Sequence, residues 1–274
     1  MFNPKAATQP AHEQSSINPI SPQVSARTIG VNPIAIWPTT ELLMDSKRTT
    51  KMIPNLIAML THKDVSVKNG HKIFADCLDL PLEHWGFKDI GLLPTEMRAL
   101  VRAMKDAEKT TFLEVVTLGE AECMRGAQIA VENAFDYLMG TVFYDSVFQY
   151  LQKHRIKYFP FCGRIVGLPS ILEGTPDEIV HDGFRLQMKG VDGLDLLAYR
   201  HSSSAEEIAL KIVDNLNIPV VVAGSIDSWE RVNSIKRIQP WGFTIGSAFF
   251  EKRFVADRPF RDQLMAVYEY LKKT

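Results

Sequence analysis

The chain has 274 residues, of which 46% are hydrophobic and 23% are charged, a balance typical of a globular protein with a sizeable core. Its formal net charge of -1 gives no bulk attraction to nucleic acid or to an anionic membrane, and we expect neither as a partner. Three scattered cysteines, Cys77, Cys123 and Cys162, support neither a disulfide framework nor a zinc knuckle. Without a membrane-length apolar run or a signal-peptide pattern, the chain is expected to be cytoplasmic.

The composition changes near residue 29. Residues 1–28 are rich in Pro, Ser, Gln and Asn and poor in large apolar residues. Such a segment buries too little surface to offset its ordering entropy, so we predict a flexible N-terminal arm. From residue 29 to residue 274, short apolar runs alternate with longer amphipathic runs, which predicts a single further domain.

Eight apolar runs have the composition of buried strands. They are NPIAIW (32–37), KIFADCL (72–78), TFLEVV (111–116), FDYLMG (135–140), IKYFPFC (156–162), VDGLDLLAY (191–199), IPVVVAG (218–224) and WGFTIG (241–246). Helical spacing of apolar residues follows at 94–109, 119–133, 144–155, 175–190, 204–217 and 227–239. In the first unit, residues 38–62 would have to form the crossover despite Pro38 and Pro54.

The alternation of strand and helix predicts an α/β fold, and eight units in this length match a (β/α)8 TIM barrel. An open doubly wound sheet is the alternative. It is less favoured because the turn after the first predicted strand is Pro-Thr-Thr and not glycine-rich.

The seventh and eighth predicted strands both end in Gly-Ser, at Gly224-Ser225 and Gly246-Ser247. Barrels commonly bind phosphate at the ends of these two strands. Backbone N–H groups can approach a phosphate where no Cβ intervenes, and each serine adds a hydroxyl donor. We therefore predict a phosphate site here; the alternative is that both glycines only close tight turns.

The stretch VVVAGSID…WGFTIGSAFF, within residues 218–250, resembles the ending of the ribulose-phosphate-binding barrels. These barrels include phosphosugar epimerases and isomerases. The ending also resembles, more loosely, that of the glycerol-3-phosphate-responsive antiterminator. The resemblance implies that Gly224, Ser225, Gly246 and Ser247 grip a phosphate group. Many of these families have Gly-Gly after strand seven where this chain has Gly-Ser, so no single family is indicated.

Two acidic residues fall inside predicted strands, Asp76 in the second and Glu114 in the third. An ionised carboxylate is costly in the dry layer between strands and helices, so we expect both to point into the barrel near its rim. They are candidate general acid and base. A carboxylate-held Mg²⁺ or Mn²⁺ is also compatible with them, although no HxH or HExxH motif indicates a metal. The alternative is a structural ion-pair network.

The ends of the fifth and sixth predicted strands carry further candidates. Alternation along strand six turns Asp195 and His201 towards the barrel, as possible proton carriers, and leaves Arg200 at the rim for an anionic group. Arg164 lies in a Gly-flanked loop, Gly163–Gly174, that is long enough to form a lid. Cys162 is expected to be a buried structural residue.

Two functions are compatible with these features. The first is an enzyme acting on a small phosphorylated metabolite, a sugar phosphate or related acid, by proton transfer next to a carbonyl, as an isomerase, epimerase or lyase. Strand six lacks a lysine, and Lys157 lies at the wrong end of strand five, which argues against imine chemistry. The second is a non-catalytic sensor of a phosphorylated metabolite. The interior acids favour the enzyme; a homo-oligomer is compatible with either.

Overall fold

The computed structural model describes residues 52–167, 169–203 and 205–273. Eight parallel strands form one sheet: β1 Asn55–Met59, β2 His84–Lys88, β3 Thr110–Val115, β4 Tyr137–Gly140, β5 Lys157–Phe159, β6 Leu194–Leu196, β7 Val220–Val222 and β8 Gly242–Ile245. Their order is β6-β7-β8-β1-β2-β3-β4-β5. A parallel bridge between Phe161 and Asp195 connects the two edges, so the sheet is a nearly closed barrel.

Helices follow the strands around the outside of the barrel. They are α1 Gly70–Ala75, α2 Pro94–Asp106, α3 Glu120–Glu132, α4 Asp145–His154, α5 Pro176–Lys189, α6 Ala205–Asn215, α7 Trp229–Ile238, the short α8 Ser247–Phe250 and α9 Phe260–Lys272. A 3₁₀ turn, Ala198–Arg200, follows β6. Among the described residues, no helix is long and apolar enough to cross a membrane. The predicted TIM barrel is confirmed.

The predicted third to eighth strands are confirmed, with bounds shifted by a few residues, but the first two units differ. The predicted arm (1–28) and first strand (32–37) lie outside the described residues, and β1 at Asn55–Met59 pairs with both β8 and β2. The predicted second strand (72–78) is wrong, because α1 occupies Gly70–Ala75. Its buried positions, Gly70, Phe74 and Cys77, recur every three to four residues, as on one face of a helix.

Aromatic side chains fill the lower part of the barrel. Phe112 and Tyr137 stack with ring centroids 4.3 Å apart, and Phe159 lies 5.3 Å from Tyr137 and 5.7 Å from Trp241. Large side chains meeting at these distances leave no open pore. The cavity described below lies at the other end of the barrel, where the strands finish.

Two hairpins project from that end. Residues 61–66 form a hairpin after β1, pairing Thr61 with Ser66. The loop predicted as a lid contains a second hairpin, in which Arg164–Val166 pairs with Ile171–Glu173. The ring Nε2 of His201 lies 2.9 Å from the carbonyl oxygen of Gly174 and ties this hairpin to the loop after β6.

The three cysteines are free and buried, as expected of structural residues. Burial raises the pKa of the Cys162 thiol, and the negative charge of Asp182 raises it further. A thiol in this environment stays protonated at neutral pH and is a poor nucleophile.

The aromatic floor predicts a clear stability difference. Phe112 is fully buried in it, whereas Met188 on α5 is 83% exposed. We expect Phe112→Ala to lower the free energy of unfolding by about 3–5 kcal/mol through lost contacts and a residual cavity. Met188→Ala should change it by no more than about 0.5 kcal/mol. Urea unfolding of both variants measures the difference; equal costs would contradict a packed barrel interior.

Candidate functional site

A cavity of ≈ 250 Å³ opens where the strands finish, between the ends of β1, β2, β3, β7 and β8. Its walls include both Gly-Ser turns and four charged side chains, Asp64, Lys88, Glu114 and Arg200. TIM-barrel enzymes have their active sites at this end of the barrel, where the strands finish. The two predicted phosphate turns are therefore side by side and share one cavity with groups able to move protons.

Each turn glycine is required by its surroundings. Gly224 has φ +83°, and a Cβ there would lie 2.8 Å from Cγ of Arg200, whose side chain crosses the turn. A Cβ at Gly246 would lie 2.6 Å from Oγ1 of Thr61 at the base of the first hairpin. The next residue after Gly224, Ser225, also has a positive φ, of 54°. Close approach of other groups, and not turn geometry alone, explains these glycines.

The 61–66 hairpin is fastened to the site on two sides. The Ser66 hydroxyl donates to the carbonyl oxygen of Lys88 and accepts from its backbone N–H, both at 2.8 Å. At the tip, Lys63 and Asp64 have φ values of 51° and 62°, and the Lys63 N–H donates to Oγ of Ser247 at 2.9 Å. These bonds hold the side chain of Asp64 over the cavity.

Lys88, the last residue of β2, points into the barrel and is almost fully buried. Its Nζ lies 2.8 Å from Oδ1 of Asp64 and 3.4 Å from Oε1 of Glu114, its register neighbour on β3. Burial alone would lower the pKa of Lys88, but the charges of Glu114 and Asp64 outweigh burial and raise it. The amine is therefore held as an ammonium ion.

Asp64 also binds the second cation of the cavity. The guanidinium Nη2 of Arg200 donates to the same Oδ1 at 2.8 Å, and Nη1 lies 3.4 Å from the carbonyl oxygen of Ser170. Partial burial acts to raise the pKa of Asp64, but the hydrogen bonds and charges of Lys88 and Arg200 prevail and lower it to about 2. One carboxylate thus bridges two cations at neutral pH.

Asp195 lies inside the barrel on β6 and is fully buried. Among the described residues, no hydrogen bond of ordinary geometry reaches either carboxyl oxygen, although the backbone of Gly140 lies close enough to lower its pKa slightly. Burial raises the pKa of Asp195 well above its usual value, and the charge of Glu114 raises it further against the opposing effect of Lys88 and Arg200. These forces favour the neutral acid, which can donate a hydrogen bond.

Of the ten residues predicted for the site, six line the cavity: Glu114, Arg200, Gly224, Ser225, Gly246 and Ser247. Asp195 is buried within the same barrel, close enough for the charge of Glu114 to act on it. Asp76 lies elsewhere, exposed just after α1, and its carbonyl oxygen accepts from Arg261. Its predicted inward direction is wrong because it follows a helix instead of lying in a strand.

Arg164 and His201 belong to the other side of the rim. Arg164 is exposed, pairs with Glu173 at 2.7 Å and lines a separate cavity of ≈ 400 Å³ with Phe143 and Phe161. His201 supports the second hairpin through Gly174. The structure therefore places neither residue among those lining the first cavity.

Lys88 and Asp64 were not predicted from the sequence. Lys88 ends the run HWGFK, which contains a histidine and a glycine and does not have the composition of a buried strand. Asp64 lies between the predicted crossover (38–62) and the predicted second strand (72–78), a stretch to which no element was assigned. The usable signal was the apolar run LIAML (56–60), which is typical of a buried strand and would have placed Asp64 shortly after its end.

The side chains around the cavity do not fit a divalent cation. Within the described ranges, no three or more His, Cys, Asp and Glu side chains gather in a way that could hold a metal ion. The Lys88 ammonium already lies within 2.8 Å of Asp64 and 3.4 Å of Glu114, where a cation held by those carboxylates would lie. Bound Mg²⁺ or Mn²⁺ therefore stays a prediction from the sequence.

The bridging carboxylate predicts an acid-dependent loss of stability. Because the pKa of Asp64 is lowered to about 2, its contribution is complete above the unfolded-state pKa and is lost as the pH falls through about 2. A shift of this size corresponds to about 2 kcal/mol. The side chain is 44% exposed, however, and solvent screening reduces the expected contribution to roughly 1 kcal/mol.

Urea unfolding of the wild type and Asp64→Asn at several pH values tests this contribution. We expect the stability difference to be constant at pH 5–7 and to shrink between about pH 4 and pH 2. A difference that does not change with pH over this range would contradict the charge bridge.

No family model matches the sequence, and no curated protein matches it. Solved structures do match. An orotidine 5'-phosphate decarboxylase from Pyrococcus horikoshii OT3 is 13% identical, with 80% of this chain and 100% of that chain covered and a TM-score of 0.60. An N-acetylmannosamine-6-phosphate 2-epimerase from Clostridium perfringens is 8% identical, with 88% and 100% covered and a TM-score of 0.54.

A glycerol uptake operon antiterminator regulatory protein from Listeria monocytogenes also matches, at 16% identity, with 70% of this chain and 91% of that chain covered. Its TM-score of 0.49 is too low to support a structural conclusion. At such identities, structural similarity shows the fold and not the activity. The chain shares the barrel fold of the decarboxylase and the epimerase, and structural neighbours of this kind agree with the resemblance predicted from residues 218–250.

Proposed function

We propose that this protein is an enzyme that acts on a small phosphorylated metabolite by proton transfer next to a carbonyl group. The observation that carries the proposal is the single cavity shared by the two Gly-Ser turns and by the Lys88–Glu114 pair. A binding protein needs the first feature alone. A buried, charged acid–base pair beside the anchoring turns is costly to maintain and is typical of catalytic sites.

The phosphate would lie against the turns at the ends of β7 and β8. Backbone N–H groups of Gly224-Ser225 and Gly246-Ser247, with the serine hydroxyls, supply neutral donors. Arg200 crosses Gly224, and two bonds to Asp64 and Ser170 leave further guanidinium N–H groups for the phosphate. Anchoring this end would hold the reacting end near β2 and β3.

At the reacting end, Glu114 would remove the proton from the carbon next to the carbonyl. The Lys88 ammonium would donate a hydrogen bond to the carbonyl oxygen and stabilise the negative charge that develops there. Asp195 does not line the cavity, so it would act on the reaction only through its charge interaction with Glu114. Because the side chains of Lys88 and Glu114 are largely buried, such interactions are stronger than at an exposed surface.

Imine chemistry was not expected from the sequence, because no lysine was predicted inside the barrel near the rim. The barrel does contain one, on β2 rather than β6. Its raised pKa nevertheless keeps it protonated, and an ammonium ion cannot attack a carbonyl. Proton transfer is therefore favoured over a Schiff base on the charge state of Lys88.

Ligand-induced stabilisation tests the anchor. We expect at least one triose, pentose or hexose monophosphate to raise the melting temperature of the wild type, since a ligand of the folded state stabilises it by mass action. Gly246→Val should abolish the rise, because the added side chain would meet Thr61 and fill the turn.

Gly190→Ala is the matched control. Gly190 ends α5 with φ +83° and lies outside the cavity, so its replacement perturbs the backbone away from the Gly-Ser turns and should keep the response. If no monophosphate raises the melting temperature of the wild type, the proposed phosphate site is wrong.

Exchange of a substrate proton with solvent tests the chemistry without knowledge of the product. In D₂O, the enzyme should replace the hydrogen next to the carbonyl of a bound monophosphate, which removes its ¹H NMR signal. We expect Glu114→Gln to slow this exchange by roughly 10²–10⁴-fold while ligand binding persists. Asp76→Asn removes an exposed carboxylate outside the cavity and should leave the rate unchanged. Binding without any exchange in the wild type would favour a sensor.

A further inference from the structure

The charges inside the cavity already balance before any ligand enters. Lys88 and Arg200 are its cations, and both are bound by Asp64, while Glu114 also pairs with Lys88. The central group therefore consists of two positive and two negative side chains. A neutral Asp195 adds no charge to it.

The two remaining carboxylates of the cavity are neutralised from outside it. Asp227 pairs with Arg231 at 2.9 Å, and Glu251 pairs with Arg253 at 3.0 Å. Neither arginine lines the cavity. Within the described part of the cavity lining, no cation is left in excess for a second anionic group of a ligand.

Asp64 is not a freely moving surface acid that a ligand could easily displace. The Ser66 hydroxyl bonds to both backbone groups of Lys88, so the hairpin and β2 move together. The backbone N–H of Lys63 fixes the tip on Ser247. Oδ1 of Asp64 lies 2.8 Å from Nζ of Lys88 and 2.8 Å from Nη2 of Arg200. It therefore occupies the point where a carboxylate or second phosphate of a ligand would otherwise bind both cations.

We propose that Asp64 is a specificity-determining residue: it acts as an internal counter-anion that restricts the site to ligands with one phosphate and an uncharged reacting end. The favoured class is the hydroxyaldehyde or hydroxyketone monophosphates, and phosphorylated acids and bisphosphates are rejected. This inference rests on the proposed phosphate anchor and narrows the substrate class of that same site. Specificity here arises from like-charge repulsion against the wrong ligand.

Isothermal titration with matched ligand pairs tests the inference. Each pair joins an aldose or ketose monophosphate to its phosphorylated acid or its bisphosphate. We expect the wild type to bind the monophosphate roughly tenfold or more tightly than its more anionic partner. In Asp64→Asn, the freed cations should reduce that ratio by roughly tenfold or reverse it, through tighter binding of the more anionic ligand.

Asp227→Asn is the control, because it removes one negative charge from the same cavity without releasing Lys88 or Arg200. It should leave the ratio within about twofold of the wild type. An equal change of the affinity ratio in both variants would show that any negative charge in the cavity has this effect, and it would overturn the specific role of Asp64. An unchanged ratio in Asp64→Asn would overturn it as well.

The wild-type panel is informative even if Asp64→Asn does not fold. Tighter binding of bisphosphates or phosphorylated acids than of monophosphates would overturn the inference while leaving the phosphate anchor intact. Failure of every phosphorylated ligand to bind would instead refute the anchor itself. Asp64→Ser, which also removes the charge, then provides the second variant for the ratio measurement.

Discussion

The arrangement of the whole cavity depends on the double ion pair made by Asp64. Lys88 comes from β2 and Arg200 from the loop after β6, and both cations reach the same carboxylate oxygen. Loss of Asp64 would leave Arg200 without this carboxylate and Lys88 paired with Glu114 alone, which would change the charge inside the cavity. The hairpin that carries Asp64 is therefore as much a part of the site as the strands. It sets the charge that a ligand meets.

The strength of these interactions has its origin lower in the barrel. The rings of Phe112, Tyr137, Phe159 and Trp241 pack together and fill the floor of the barrel. Above them, charges interact through a medium less polarisable than water, so pairing and repulsion are both amplified. The raised pKa values of Lys88 and Asp195 have opposite consequences for charge, since one group is kept ionised and the other neutral. Lys88 is thus a charged hydrogen-bond donor, and Asp195 is a neutral one.

The accuracy of the strand predictions follows from the residues in each strand. From β3 onwards, the barrel strands are mostly apolar runs bounded by amphipathic helices, and their pattern predicts them. The run at 72–78 is short and apolar, but its buried residues Phe74 and Cys77 lie on one face of a helix and just beyond it. β2 itself reads HWGFK, because a barrel strand can carry His, Gly and Lys on its inner face. Periodicity cannot separate these cases in so few residues.

The sequence by itself determined the barrel, the Gly-Ser turns at the ends of β7 and β8, and the inward direction of Glu114 and Asp195. All of these follow from local patterns: strand alternation, helix spacing and the residue types that end a strand. Only the tertiary structure decided that Asp64, Lys88 and Arg200 meet, since 136 positions separate the first from the last. Their meeting depends on how the sheet closes and on where a hairpin folds back. Barrel closure brings distant strand ends to one rim, and no local pattern records which side chains then face each other.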